Sequence, residues 1–278
     1  RAQASAVRIN EVLDIKPGIV DPPQSVASSG QKGCVEFRDV TFSYPGAELP
    51  AISNISFAAY PGEVTAIIGG TGSGKSTLIN LIPRFYDVDS GSVLVEGVDV
   101  RQVNQKELRA KIGFVPQTPV LFSGTVSENI RYGKADATDE EIAHAAEIAQ
   151  ASEFIAGLKD GYKSVIAQGG TNLSGGQKQR LSIARALVRR PGIYILDDSF
   201  SALDFKTDAR LRAALRKETA VSTVIIVAQR VGTVMDADRI IVLDEGRIAG
   251  MGRHRELIDS CLVYREIVSS QLSEEEIA

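Results

Sequence analysis

The chain has 278 residues, 44% hydrophobic and 24% charged, with a net charge of −4. That is enough for one large α/β domain, or two small ones, around a sizeable core. The charge balance excludes the global basic field of a nucleic-acid binder; two distant cysteines, Cys34 and Cys261, exclude a disulfide framework or zinc site; and no apolar run approaches the ~20 residues of a membrane helix. Both thiols are expected to be buried or incidental in a reducing compartment. The chain opens on Arg1, without an initiator Met or an apolar leader, and is expected to be a piece of a longer polypeptide.

Residues 1–14 have helical periodicity, with Ala6, Ile9 and Leu13 on one face. Residues 15–33 carry Pro17, Pro22, Pro23, three Ser and three Gly, and read as an extended linker. Strand-like alternation follows from Cys34 to Phe42, then shorter β segments over 55–58, 63–68 and 92–96. The 63–68 run is nearly all apolar and stops at glycines, as a buried strand does. A helix is expected after those glycines, and residues 125–190 are expected to be mostly helical. Strands return at 193–197, 223–227 and 239–243, with a helix over about 204–217. Strands alternating with helices predict a largely parallel sheet covered by helices on both faces.

The segment Gly69-Gly70-Thr71-Gly72-Ser73-Gly74-Lys75-Ser76-Thr77 fits G-x-x-x-x-G-K-[ST] between a buried strand and a helix. Glycines let the backbone wrap a phosphate with dihedrals other residues avoid. Successive amides and the helix N-terminus then face the anion. Lys75 is placed to reach the β- and γ-phosphates, and Ser76 to offer a hydroxyl to Mg²⁺. The carboxylate that completes a Mg²⁺ site is expected to end a distant apolar strand, and Ile193-Tyr-Ile-Leu-Asp197 has that form. A phosphate-bearing nucleotide with Mg²⁺ is the ligand this implies.

Leu173-Ser174-Gly175-Gly176-Gln177, continued by Lys178-Gln-Arg-Leu-Ser-Ile-Ala-Arg-Ala-Leu, resembles the signature sequence and helix of ATP-binding cassette (ABC) proteins. At a helix start, Ser174 and the two glycines are expected to present free N–H groups to an anion. The family's other motifs follow in order, and the resemblance covers residues 34–270. Tyr44 in Phe42-Ser-Tyr-Pro-Gly looks like the aromatic residue that stacks on adenine. Gln117 in Phe114-Val-Pro-Gln looks like the glutamine that reaches Mg²⁺ and the attacking water. Ser201-Ala-Leu-Asp204 looks like the D-loop, which with the signature serves ATP held by a second subunit in a head-to-tail dimer. The resemblance implies a P-loop NTPase fold of ABC type: a mixed sheet core, an antiparallel β subdomain, and a helical signature subdomain over about 118–190.

Leu121-Phe-Ser-Gly-Thr-Val-Ser-Glu-Asn-Ile130 resembles the exporter form of the surface that receives the coupling helices of the membrane part. The opening Ala4–Asp14 resembles the end of the helix leaving the sixth membrane span of exporters. Residues 1–33 are therefore expected to be the end of a transmembrane-domain helix with its linker, and 34–278 a nucleotide-binding domain at the cytoplasmic face of a membrane.

Three positions depart from the family. Where efficient members place Glu after the first Asp, to polarise water, this chain has Asp198. Where they place a switch histidine, Val224-Ile-Ile-Val-Ala-Gln-Arg puts Gln229. His144 and His254 are the only histidines in the sequence, and both read as surface polar residues. Ala167-Gln-Gly-Gly170 stands where exporters commonly carry a Glu- and Arg-containing loop. Lys75, Gln117, Asp198 and Gln229 are thus the catalytic candidates. Asp198 and Gln229 resemble the slow half of a heterodimeric exporter, whose competent site takes its Glu and His from another chain; an active homodimer is the alternative. A DNA-repair or chromosome ATPase would insert long coiled coils. A translation factor would carry two cassettes. A small-substrate kinase would lack the signature. None fits this sequence, and no nucleic-acid partner is expected.

Overall fold

The computed structural model describes residues 2–14 and 17–272. In chain order the first elements are α1 (Ala2–Leu13), β1 (Val35–Phe42), β2 (Ile52–Ala59), β3 (Val64–Gly69), α2 (Lys75–Leu81), β4 (Ser90–Val95), β5 (Val98–Asp99), α3 (Gln105–Ala110) and β6 (Ile112–Val115). Next come β7 (Gly124–Thr125), α4 (Val126–Arg131), α5 (Asp139–Ile148), α6 (Ser152–Ala156), β8 (Val165–Ile166), α7 (Gly175–Leu187) and β9 (Ile193–Asp197). Last are α8 (Phe205–Glu218), β10 (Thr223–Val227), α9 (Val231–Val234), β11 (Arg239–Asp244), β12 (Arg247–Gly252), α10 (His254–Ser260) and α11 (Leu262–Ser269).

Six strands form the central sheet in the order β12-β11-β3-β10-β9-β6. All neighbours are parallel except the β11–β12 hairpin. Alternation along each strand feeds two cores. Ala66, Ile68, Leu196, Val224, Ile226, Ile240 and Val242 face a core shared with the helices, including Leu181 of α7, Leu211 of α8 and Tyr264 of α11. Ile67, Ile193, Ile195, Ile225, Val227, Ile241 and Leu243 face the other way, onto α2 and a second sheet. Each fully buried Val, Leu or Ile among them contributes roughly 1.5–3 kcal/mol by leaving water.

That second sheet is the antiparallel β subdomain the resemblance implied, and it covers the face on which α2 packs. Its four strands run β2-β1-β4-β5, antiparallel, and Phe37 stacks on Phe57 within it at 4.7 Å. β2 is longer than the 55–58 segment read from sequence, because the pairing is bulged where Asn54 takes φ 53°. The 125–190 stretch is also not uniformly helical: β7 and β8 pair across it. Its helices are capped locally, with capping boxes from Thr125 to Glu128 and from Thr138 to Glu141.

α1 forms as its periodicity predicts, with Ile9 and Leu13 exposed; the side chain of Ala6 lies outside the described ones. The segment read as a linker is tied to the body. The Asp21 carboxylate accepts from Gln105 N and from Asn104 Nδ2 at the start of α3. Ser29 N and Gly30 N donate to Glu96 O, and Val26 N to Gln102 O. Cys261 is buried and Cys34 half-buried, both unpaired. No described helix is long and apolar enough to cross a membrane.

Candidate functional site

At the C-terminal edge of the parallel strands lies a cleft of about 420 Å³, the place where open parallel sheets bind ligands. Thr71, Gly72, Gly74, Lys75, Ser76 and Thr77 form one wall; Tyr44 and Ala51 come from the antiparallel sheet's side, and Gln117, Asp197, Asp198 and Gln229 from ends of the parallel strands. Five segments far apart in sequence therefore converge on one cleft. Ala51 and Val227 also line the cleft but carry no motif by which sequence could have flagged them.

The glycine requirement of the loop is physical. A Cβ on Gly69 would lie 2.1 Å from Leu243 O, inside the backbone of the neighbouring strand. Gly74 caps α2 at φ 97° with no side-chain cap, so the first amides of that helix point into the cleft. Lys75 Nζ donates to Gly69 O at 2.9 Å and Gly70 O at 2.6 Å. Burial pulls its pKa down, and the Asp197 and Asp198 charges oppose that.

Asp197 ends β9 and is buried. Burial pushes its pKa up, the Ser76 hydrogen bond pulls it down, and the adjacent Asp198 charge pushes up again. Ser76 Oγ donates to Asp197 Oδ1 at 3.3 Å. This hydroxyl–carboxylate pair is a hard-oxygen donor set that suits Mg²⁺, and Gln117 lines the same cleft. Asp198 sits at φ 43°, in the left-handed region that Asp tolerates better than most residues. Its Oδ2 accepts two hydrogen bonds, from Gln117 Nε2 at 3.3 Å and Gln229 Nε2 at 3.2 Å. Two of the three departures from the family pattern, Asp198 and Gln229, thus touch each other.

Tyr44 packs edge-on against Phe42 and Tyr86, and its hydroxyl lies 3.0 Å from Thr77 Oγ1. This fixes an aromatic ring at the mouth of the cleft.

Among the described residues lining the cleft, none comes from 173–177, and Asp204 is absent as well. At the start of α7, Ser174 Oγ accepts from Gln177 N and Gln177 Oε1 accepts from Ser174 N. This corrects the expectation that Ser174 offers a free N–H: that donor and Gln177's are taken by the capping box. Gly175 and Gly176 remain ahead of the first intrahelical bond, from Lys178 N to Ser174 O. A Cβ on Gly176 would press on Ala202 O at 3.1 Å, so the signature and D-loop backbones lie together. Asp204 Oδ1 caps α8 through Thr207 N at 3.0 Å. The Thr207 side chain and then its backbone amide hold the Asp204 carboxyl below the usual range.

His144 pairs with Glu218 at a half-exposed position, while His254 is more enclosed than expected, 2.8 Å from the hydroxyl of buried Tyr264. Neither lines the cleft.

The pattern of the family described as ABC transporter matches residues 52–201, which takes in the loop, Gln117, the signature and Asp198. The chain belongs to the ABC transporter family. An uncharacterized ABC transporter ATP-binding protein of Mycobacterium tuberculosis is 47% identical over 275 residues, 98% of this chain and 47% of the relative. The ATP-dependent lipid A-core flippase of Chromobacterium violaceum is 42% identical over 274 residues, 99% of this chain and 47% of that protein. The structure of a bacterial Atm1-family ABC exporter with ATP bound superposes with a TM-score of 0.93 at 36% identity, covering 98% of this chain and 47% of that one. The chain therefore spans about half the length of the relatives it matches. It is an ABC-type ATP-binding domain homologous to the ATP-binding part of these proteins, with ATP and Mg²⁺ as the family's ligands.

Proposed function

We propose that this chain powers export across a membrane by ATP-driven pairing with a second cassette, and that its own cleft hydrolyses ATP slowly. In this reading residues 69–77 wrap the phosphates, Lys75 neutralises them, and Tyr44 supports the adenine. Ser76, Asp197 and Gln117 would hold Mg²⁺, which neutralises developing phosphate charge. The signature, Leu173–Gln177, and Asp204 act on the nucleotide of the partner; their position outside the chain's own cleft supports this. Membrane domains preceding residue 1 would engage the exposed Val120, Phe122 and Tyr132 surface and place the domain at the cytoplasmic face. The 1–33 and 34–278 division remains part of this proposal.

The observation that carries the slow-site reading is the double hydrogen bond on Asp198 Oδ2. A base must meet its water in line with the phosphate, and one methylene of missing reach disturbs that. Here a carboxylate oxygen is also engaged by two amide donors. Gln229 brings no titratable group to the γ-phosphate side. Losing general-base assistance typically costs roughly 10²–10⁴-fold. A partner chain carrying Glu and His, completed by this chain's intact signature, would hold the competent site. The second reading, an active homodimer, is favoured by one fact: Asp198 keeps a carboxylate in the cleft.

Single-turnover ATP hydrolysis separates the two. The wild type is compared with Asp198→Glu/Gln229→His and with a mixture containing a cassette that has Glu and His but a defective signature. Negligible wild-type activity, gained in the double variant or the mixture, supports the proposal. Brisk cooperative hydrolysis by the wild type alone overturns it in favour of the homodimer.

A further inference from the structure

Gln229 lies in the short passage between β10 and α9, a stretch with little local support. α9 starts at Arg230 with no side-chain cap of its own. The missing cap comes from 40 residues further along the chain: Gln271 Oε1 accepts from Val231 N at 2.9 Å. The same amide group donates from Nε2 to Gln229 O at 2.8 Å. One primary amide thus clasps the backbone on both sides of Arg230, as a neighbouring strand would. Arg230 adds a third tie, from Nη2 to Ser201 O in the D-loop at 3.2 Å.

The clasp stands on a firm base. Gln271 follows α11, which is anchored by fully buried Tyr264 and Val268. Gln271 itself is exposed, so apolar burial does not account for its placement. Its two bonds end on the backbone that aims the Gln229 side chain at Asp198 Oδ2. A connected path therefore runs from the C-terminal helix to the carboxylate in the cleft.

We infer that Gln271 is a positioning residue for the switch position: it sets the backbone at 229–231 and so the approach of residue 229 to Asp198 and the nucleotide. This rests on the reading that residue 229 acts on ATP in this cleft. The C-terminal helix then tunes turnover without touching nucleotide.

The test uses Gln271→Met, which keeps the length and removes both hydrogen-bonding atoms. In the ¹⁵N-labelled chain, the Gln229 side-chain amide signal, assigned by its loss in Gln229→Ala, is expected to move. The Val231 amide is expected to exchange with solvent about tenfold faster. Neither measurement needs turnover. For the kinetic arm, the parent is whichever of the wild type and Asp198→Glu/Gln229→His hydrolyses ATP faster. Gln271→Met is expected to slow its single-turnover rate about tenfold while leaving the Kd for MgADP within about twofold. Adding Gln271→Met to a parent whose residue 229 has already been replaced by alanine is expected to change little, because Gln271 acts through that side chain. An unmoved Gln229 signal, a rate within twofold of the parent, or an equal loss in the alanine-substituted background each overturns the inference. A faster wild type overturns the slow-site reading alone, since the effect of Gln271 is read as a ratio to the parent.

Discussion

Two helix starts in this molecule are built from similar glycine-rich sequence and end up chemically opposite. At α2, Gly74 in a left-handed conformation replaces any side-chain cap, and the first amides open into the cleft beside Lys75. At α7, Ser174 and Gln177 satisfy each other's amides, and only Gly175 and Gly176 remain ahead of the helix ladder. The first start has no side-chain cap and leaves its amides open to an anion. The second is a finished, self-capped helix that still presents two glycine amides and a dipole. The difference teaches that a glycine-rich helix start is not by itself a phosphate site; what occupies the cap decides. It also fits the proposed division of labour, in which the loop holds its own nucleotide and the signature closes over another.

The sharpest way to break this comparison is to remove the charge at the open end. Lys75→Ala is expected to lower single-turnover hydrolysis by at least about 10²-fold, the typical loss of one preorganised phosphate donor, and to abolish measurable MgATP binding in equilibrium titration. Gly69→Ala is expected to do comparable damage from geometry, because its methyl would strike Leu243 O at 2.1 Å. A Lys75→Ala domain that binds MgATP normally would show that α2 and its loop are not the phosphate site.

How much of this was legible beforehand follows from which constraints are local. The phosphate loop, Asp197 at a strand end and the α7 start are each written in fewer than ten consecutive residues, and the structure brings the first two together. The parallel strands were legible because β9, β10 and β11 are short apolar runs buried on both faces. The antiparallel sheet's place over α2 was not, since β1 and β2 reveal a buried face without naming its partner. β12 went unread because alternating exposure and glycines at 250 and 252 leave little apolar pattern. The hydrogen bonds of Asp21 to α3 span 83 and 84 residues, and no local pattern encodes them. The same holds within the site: residues 117, 198 and 229 were named one by one, but their meeting on a single carboxylate oxygen is a tertiary fact.

The two starts also differ in what they cost the free domain. Beside the open end, Asp197 is buried and its pKa is raised, chiefly by burial. A carboxylate with a raised folded pKa favours the fold most at pH below its unfolded value. That contribution is lost as pH rises through the folded pKa. At neutral pH, without nucleotide or Mg²⁺, the ionised group is therefore a net cost. Asp197→Asn is expected to raise Tm by a few degrees at pH 7, with the gain shrinking towards zero as pH falls into the carboxylate range. A constant gain at every pH, or none at pH 7, would contradict the burial argument.

At the capped end the expected effect is smaller and of opposite sign. Ser174→Ala removes the oxygen that accepts from Gln177 N and should destabilise α7 by about 1 kcal/mol, read as a lower urea midpoint at unchanged slope. MgATP binding to the isolated chain should be untouched, because Ser174 does not line its cleft. A loss of binding in the isolated chain would mean that the signature serves its own nucleotide, and the contrast between the two helix starts would collapse.

The smallest effect tests the aromatic ring at the mouth of the open site. Tyr44→Phe keeps the ring and its edge contacts with Phe42 and Tyr86 but loses the bond to Thr77 Oγ1. One neutral hydrogen bond at a partly exposed position is worth about 0.5–1.5 kcal/mol. The ring face that would meet adenine is unchanged, so MgATP affinity should fall no more than roughly tenfold, the affinity equivalent of 1.4 kcal/mol. Tyr44→Ala, which removes the ring as well, should weaken binding further. If the two substitutions weaken binding equally, the hydroxyl's hold on Thr77 matters and the ring does not. Tyr44 would then belong to the scaffold of the phosphate loop rather than to adenine recognition.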